Sequence, residues 1–110
     1  LIIVNILRNA DQTIEGFRVK GHANYAERGR DIVCAGVSAV TVGTVNAIEK
    51  LTGIEMDSEM EHGFLSAVLP ESAAGSSKEQ AQLLLSSLVV MLESIELSYG
   101  KYLKIKDIIN

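Results

Sequence analysis

IVCAGVSAVTVGTVNAIEKL, residues 32–51, reads as a long helix that is apolar on nearly all sides. Asp31 stands directly before it as an N-cap, its carboxylate placed to accept from the free amides of Val33 or Cys34. Gly53 lies just past the other end, where helices commonly stop. Gly36, Val40, Gly43 and Ala47 recur at three- and four-residue spacing and form a stripe of small side chains. Two interior glycines cost about 1 kcal/mol each relative to alanine, so the stripe predicts a close approach by another element. A helix without a broad polar face is buried between layers or at a subunit contact.

Outward from this helix the periodicity changes. Residues 1–7 and about 14–21 are strand-like, joined by the polar turn RNADQT. Phe17 and Val19 alternate with Arg18 and Lys20, so one side faces a core and the other faces water. Downstream, 54–62 is a polar connection with room for a short strand, and GFLSAVL, residues 63–69, is a strand that Pro70 ends. Ser77 and Gln80 resemble a capping box that opens a second helix. Leu84, Leu85, Leu88, Met91, Leu92, Ile95 and Tyr99 supply its apolar face, and Gly100 closes it. KYLKIKD, residues 101–107, is a last strand with Leu103 and Ile105 inward. These elements predict an α+β fold: a single domain over 1–110, with a mixed sheet of four or five strands and two long helices packed on it.

The bulk properties narrow the function. The chain has 110 residues, 47% hydrophobic and 22% charged, as an ordinary globular domain does rather than a disordered one. The net charge of −4 has no basic bias, which argues against direct nucleic-acid binding. One cysteine cannot form an internal disulfide, and nothing points to an oxidising compartment. LIIVNIL lacks the basic leader and cleavage site of a signal peptide, and no run approaches the roughly 18 apolar residues of a membrane span. A cytoplasmic protein without membrane contact is expected.

The chemistry-bearing residues cluster. Cys34 is the third residue of the predicted helix, within the turn whose amides lack partners. A free thiol with a pKa of about 8.5 is only about 3% ionised at pH 7. Half-ionisation there needs about 2 kcal/mol, whereas a helix terminus typically contributes about 0.3 to 1. A nearby imidazolium would supply the remainder, and His22 at the end of the preceding strand is the candidate. The intervening ANYAERGR is long for a strand-to-helix connection. Gly21 and Gly29 bracket it as possible loop hinges, and helix-end amides beside Cys34 are candidate oxyanion donors. Ser38 shares the helix face of Cys34. The plain alternatives stand beside these: Cys34 as a small buried hydrophobe, His22 as an ordinary satisfied histidine, Asp31 as a cap only, and Ser38 bonded to the preceding turn. His62 follows an acidic run and reads as exposed. A metal site from His22, Cys34 and His62 lacks a fourth ligand and close spacing, so no metal or other cofactor is expected.

Gly21-His22-Ala23, followed at this distance by Asp31-Ile32-Val33-Cys34-Ala35-Gly36-Val37-Ser38-Ala39, resembles the ribosomal-processing cysteine protease family of Gram-positive and related bacteria. Val45-Asn46-Ala47-Ile48 and the later glutamine- and leucine-rich helix also fit, and the similarity spans nearly the whole chain. The resemblance implies a cysteine endopeptidase with Cys34 as nucleophile, His22 as its base, and Asp31 and Ser38 in support. It implies as partner and substrate the precursor of a large-subunit ribosomal protein, number twenty-seven. The N-terminal extension of that protein is removed after a pair of phenylalanines, a step required for normal ribosome assembly or function. It also implies a homodimer. The competing classes are a non-enzymatic ribosome-associated module and a redox-sensing thiol protein.

Overall fold

A computed structural model describes all residues, 1–110. Strands β1 (Ile2–Arg8) and β2 (Ile14–Gly21) form the expected hairpin, with Val4 opposite Val19 and Ile6 opposite Phe17. Because strand side chains alternate between faces, Ile2, Val4, Ile6 and Phe17 make one buried row. Helix α1 (Ile32–Thr52) follows, then β3 (Asp57–Glu61), β4 (Phe64–Val68), helix α2 (Gly75–Tyr99) and β5 (Leu103–Ile109). The five strands form one sheet in the order β3-β4-β2-β1-β5. Only the β1–β5 pair is parallel, so the sheet is mixed.

Both helices lay their buried rows on a common core with the inward row of the sheet. From α1 these are Val33, Val37, Thr41, Thr44 and Ile48; from α2 they are Ala81, Leu85, Leu88 and Leu92. The two threonines are tolerated there because their hydroxyls donate to Val37 and Val40 carbonyls one turn back, at 2.7 and 2.6 Å. The Gln82 side chain clasps β2: its Oε1 accepts from Ile14 N–H at 2.7 Å and its Nε2 donates to the Ile14 carbonyl. It thereby acts as a strand partner beside the irregularity between Leu7 and Arg8.

Several boundaries and contacts depart from the sequence reading. Helix α2 begins at Gly75 after Ala74, with no side-chain cap, so Ser77 and Gln80 lie inside it. The connection after α1 does form the short strand for which the sequence left room: β3 is exposed throughout and is held by its register with β4. The last strand runs two residues further than KYLKIKD suggests, and Met91 faces solvent. A Cβ added at Gly36 would meet the Ile95 side chain at an ordinary 3.8 Å and one at Gly43 would meet nothing, so neither glycine is demanded by a close approach. Both helices also reach the length and apolar character of a membrane span by composition, contrary to the run-based expectation. Each carries a buried row in the shared core.

Candidate active site

The strand-to-helix crossover between β2 and α1 builds the site. β2 ends at Gly21 and delivers His22 and Ala23, while α1 presents Cys34 from its first turn. Cys34 is a free, half-buried cysteine. Its Sγ accepts a hydrogen bond from Ala23 N–H at 3.4 Å, which ties the residue after His22 to the thiol. His22, Asp31, Cys34, Ser38 and Gly29 line one cleft of about 530 Å³. Gly21 lines an adjoining cavity of about 260 Å³ that also reaches His22, Cys34 and Ser38. Every residue singled out from sequence is thus brought to the same corner of the molecule. The imidazole of His22 is exposed, and the hydrogen bond recorded at the sulfur comes from Ala23.

Asp31 does more than cap. Its Oδ1 accepts from Val33 and Cys34 amides at 3.0 Å each, and its Oδ2 accepts from Tyr25 N–H at 2.9 Å and Ala26 N–H at 3.4 Å. One carboxylate therefore pins the crossover loop to the helix start. Partial desolvation would raise its pKa, but the amides of Cys34, Ala26, Tyr25 and Val33 together outweigh that and hold it below the ordinary 3.8. The consequence for oxyanion binding is a correction. The helix-end amides of Val33 and Cys34 are occupied by Asp31, and that of Ala35 by the Asp31 carbonyl. They are not free donors. A carboxylate at this terminus also offsets the positive potential that it would otherwise offer to a sulfur anion.

A stability prediction arises here. Asp31→Ala should cost about 0.5 to 2 kcal/mol, the usual loss for an N-cap, read from urea unfolding at pH 7. Since the folded-state pKa is depressed, the contribution is fully present above 3.8 and is lost as pH falls through the lower folded value. Asp31→Asn should accordingly flatten the acid limb of the stability curve. An unchanged limb would show that the carboxylate does not tie loop to helix.

The rest of the loop is anchored by an aromatic contact. The Tyr25 ring meets Tyr99 and Tyr102 edge-on, with centroids 5.6 and 5.1 Å away, an arrangement aromatic quadrupoles favour. Arg28 and Arg30 line the cleft from the loop and add positive charge to its mouth. Gly29 has φ +85 and open space where a Cβ would stand. Gly21 has φ +90, but there a Cβ would fall 2.5 Å from the Leu1 carbonyl oxygen, so close backbone approach also demands glycine.

Ser38 lies one turn beyond Cys34 in the cleft. Unlike Thr41, Thr44, Thr52 and Ser94, its hydroxyl makes no bond back to the preceding turn. Sequence reasoning read His62 as exposed and gave it no role in the site. It is exposed, as expected, but the β3–β4 turn sets it in the same cleft, with its ring centroid 4.8 Å from that of His22. The available signal was the His62-Gly63 pair between two short strands, a two-residue hairpin turn whose neighbour in the sheet is the end of β2. His22, Cys34 and His62 do not form a metal-binding group.

A thiol, an imidazole and a free hydroxyl lining one open cleft suit nucleophilic attack on a carbonyl. The comparisons agree with that chemistry. The family model described as "Cysteine protease Prp" matches residues 1–104. The chain is 41% identical over 107 residues to the ribosomal processing cysteine protease Prp of Bacillus subtilis (strain 168), covering 96% of each chain. It is 35% identical over 109 residues to that of Staphylococcus aureus (strain Mu50 / ATCC 700699), covering 96% of this chain and 97% of the relative. Its structure is similar to the S. aureus protease Prp in complex with a covalently linked product peptide, with TM-score 0.89 and 33% identity over 98% of this chain and 100% of that one. The S. aureus protease Prp with a substrate peptide gives TM-score 0.84 and 32% identity over the same shares.

Proposed function

Because the chain belongs to the ribosomal processing cysteine protease (Prp) family, we propose that it removes the N-terminal extension of a large-subunit ribosomal protein precursor, number twenty-seven, with Cys34 as nucleophile and His22 as general base and acid. The single observation that carries the assignment of residues is the convergence of both side chains on one cleft beside the crossover loop. Reorientation of the exposed His22 ring toward Sγ lets it take the thiol proton. The sulfur then attacks the scissile carbonyl, and the carbon–nitrogen bond breaks as protonated His22 gives that proton to the leaving amine. The ring next deprotonates a water, whose oxygen attacks the thioester carbonyl and releases the carboxylate product and free thiol.

With the first-turn amides of α1 engaged and Ala23 N–H bonded to the sulfur, the oxyanion is stabilised by the Ser38 hydroxyl. Asp31 supports the reaction by holding loop and helix together, and Gly21 and Gly29 are the hinges on which the 23–30 loop turns. The enzyme works in the cytoplasm, where its ribosomal substrate is made, and acts as a homodimer. Leu83, Val90 and Leu97 support self-association: they line the outer side of α2, spaced by seven residues, and are 73%, 62% and 90% exposed.

The decisive experiment incubates the protein with the extended ribosomal protein and reads the new N-terminus by mass spectrometry. A single cut directly after the phenylalanine pair is the expected result. An intact precursor, or cuts scattered elsewhere, would overturn the substrate assignment.

A further inference from the structure

A histidine that shuttles protons in a thiol site has to be oriented, usually by a third group that bonds its other ring nitrogen. That group is missing in its ordinary form. The Asp31 carboxylate, which lines the same cleft, spends both oxygens on four backbone amides. Neither it nor Glu61, which lines the adjoining cavity, bonds the His22 ring. What the ring does touch is the turn between β3 and β4.

Four observations define that contact. The His62 ring is stacked at a 40° tilt over His22, with centroids 4.8 Å apart. A Cβ at Gly63 would stand 2.7 Å from His22 Nε2, so the imidazole in this orientation rests against the glycine backbone. Gly63 has φ +74, a value suited to the second central position of a tight turn, which keeps that backbone where it is. Finally, Gly21 N–H donates to the Gly63 carbonyl at 2.9 Å, clamping the turn to the residue just before His22. The turn is therefore fixed relative to the backbone that carries His22.

Building on the protease reading above, we propose that the His62-Gly63 turn is the positioning element for His22, with the His62 ring as its stacking partner. His62 acts through His22 and not on the substrate. It confines an otherwise free ring to the side of the cleft from which it swings to Cys34. A substitution there should disturb turnover while leaving peptide binding alone, since misplacing a reacting group by about 1 Å can cost about a hundredfold.

The test uses the full chain and a peptide that spans the phenylalanine pair. His62→Ala is expected to lower kcat by about tenfold with KM within about twofold, a moderate share of that hundredfold range. His62→Phe restores a flat ring of similar size without a titratable group, and should recover most of the lost kcat. Wild-type kcat in His62→Ala, or His62→Phe no better than His62→Ala, would overturn the stacking role while leaving the protease reading intact. A wild-type protein that leaves the peptide uncut overturns the protease reading, and the positioning role with it. Independently of turnover, the His22 ring resonances should shift in His62→Ala through loss of the neighbouring ring current; unchanged resonances would likewise sink the proposal.

Discussion

Cys34→Ala is expected to abolish cleavage of the ribosomal precursor, a loss of at least about 10⁴-fold, while the fold persists. The magnitude follows from the nucleophilic role proposed for Sγ; what survives removal of a nucleophile is only binding and oxyanion stabilisation. The fold should persist because the side chain is half-buried and small, and its one polar contact is a 3.4 Å bond from Ala23 N–H. A stability change of about 1 kcal/mol, the centre of the distribution for point substitutions, is the expected cost in urea. Cys34→Ser keeps an acceptor for Ala23 N–H and should melt closer to wild type, yet be inactive because an alcohol is far less ionised than a thiol. Measured turnover in Cys34→Ala would remove the sulfur from the mechanism and return Cys34 to the role of a packing residue.

His22→Ala should slow the reaction by about 10² to 10⁴-fold, the range for loss of a general acid–base group. Its ring is exposed, so unfolding should move by no more than about 0.5 kcal/mol. Backbone bonds around it, such as Gly21 N–H to the Gly63 carbonyl, remain available. Alkylation of Cys34 by iodoacetamide should also slow at neutral pH, since the proposed acceptor of the thiol proton is removed. Near wild-type cleavage in this variant would exclude His22 as the base. Slower alkylation with undiminished cleavage would show that His22 affects the sulfur but not the chemistry.

Features written in neighbouring residues were legible before any coordinates. β2 falls on 14–21 as read, and α1 runs from the Asp31 cap to the left-handed Gly53 because both ends carry their own local signals. That His22 and Cys34 would line one cleft was legible because both flank one connection. What was missed, or given only as room for a strand, has the opposite property. β3 is a strand of exposed Asp, Ser, Glu and Met side chains, with no apolar alternation to reveal it; only pairing with β4 makes it one. The capping-box pattern at Ser77 was real as a pattern, but the chain enters α2 earlier, after Ala74, without a side-chain cap. His62 lies forty positions from His22, and nothing near it in sequence says that sheet order will place the β3–β4 turn beside the end of β2. The two demands on Asp31 were half visible: its cap followed from its place before the helix, whereas its grip on Tyr25 and Ala26 depends on a loop path that no periodicity encodes.

The chain contains three tyrosines and no tryptophan, and all three meet where Tyr25 from the crossover loop wedges against Tyr99 and Tyr102. Nearly all of its near-ultraviolet absorption and emission therefore originates at one spot, the latch of the segment above the thiol. The molecule carries an unlabelled optical gauge of whether that latch is shut, and the sheet and the remaining helix surface contribute almost no background to it.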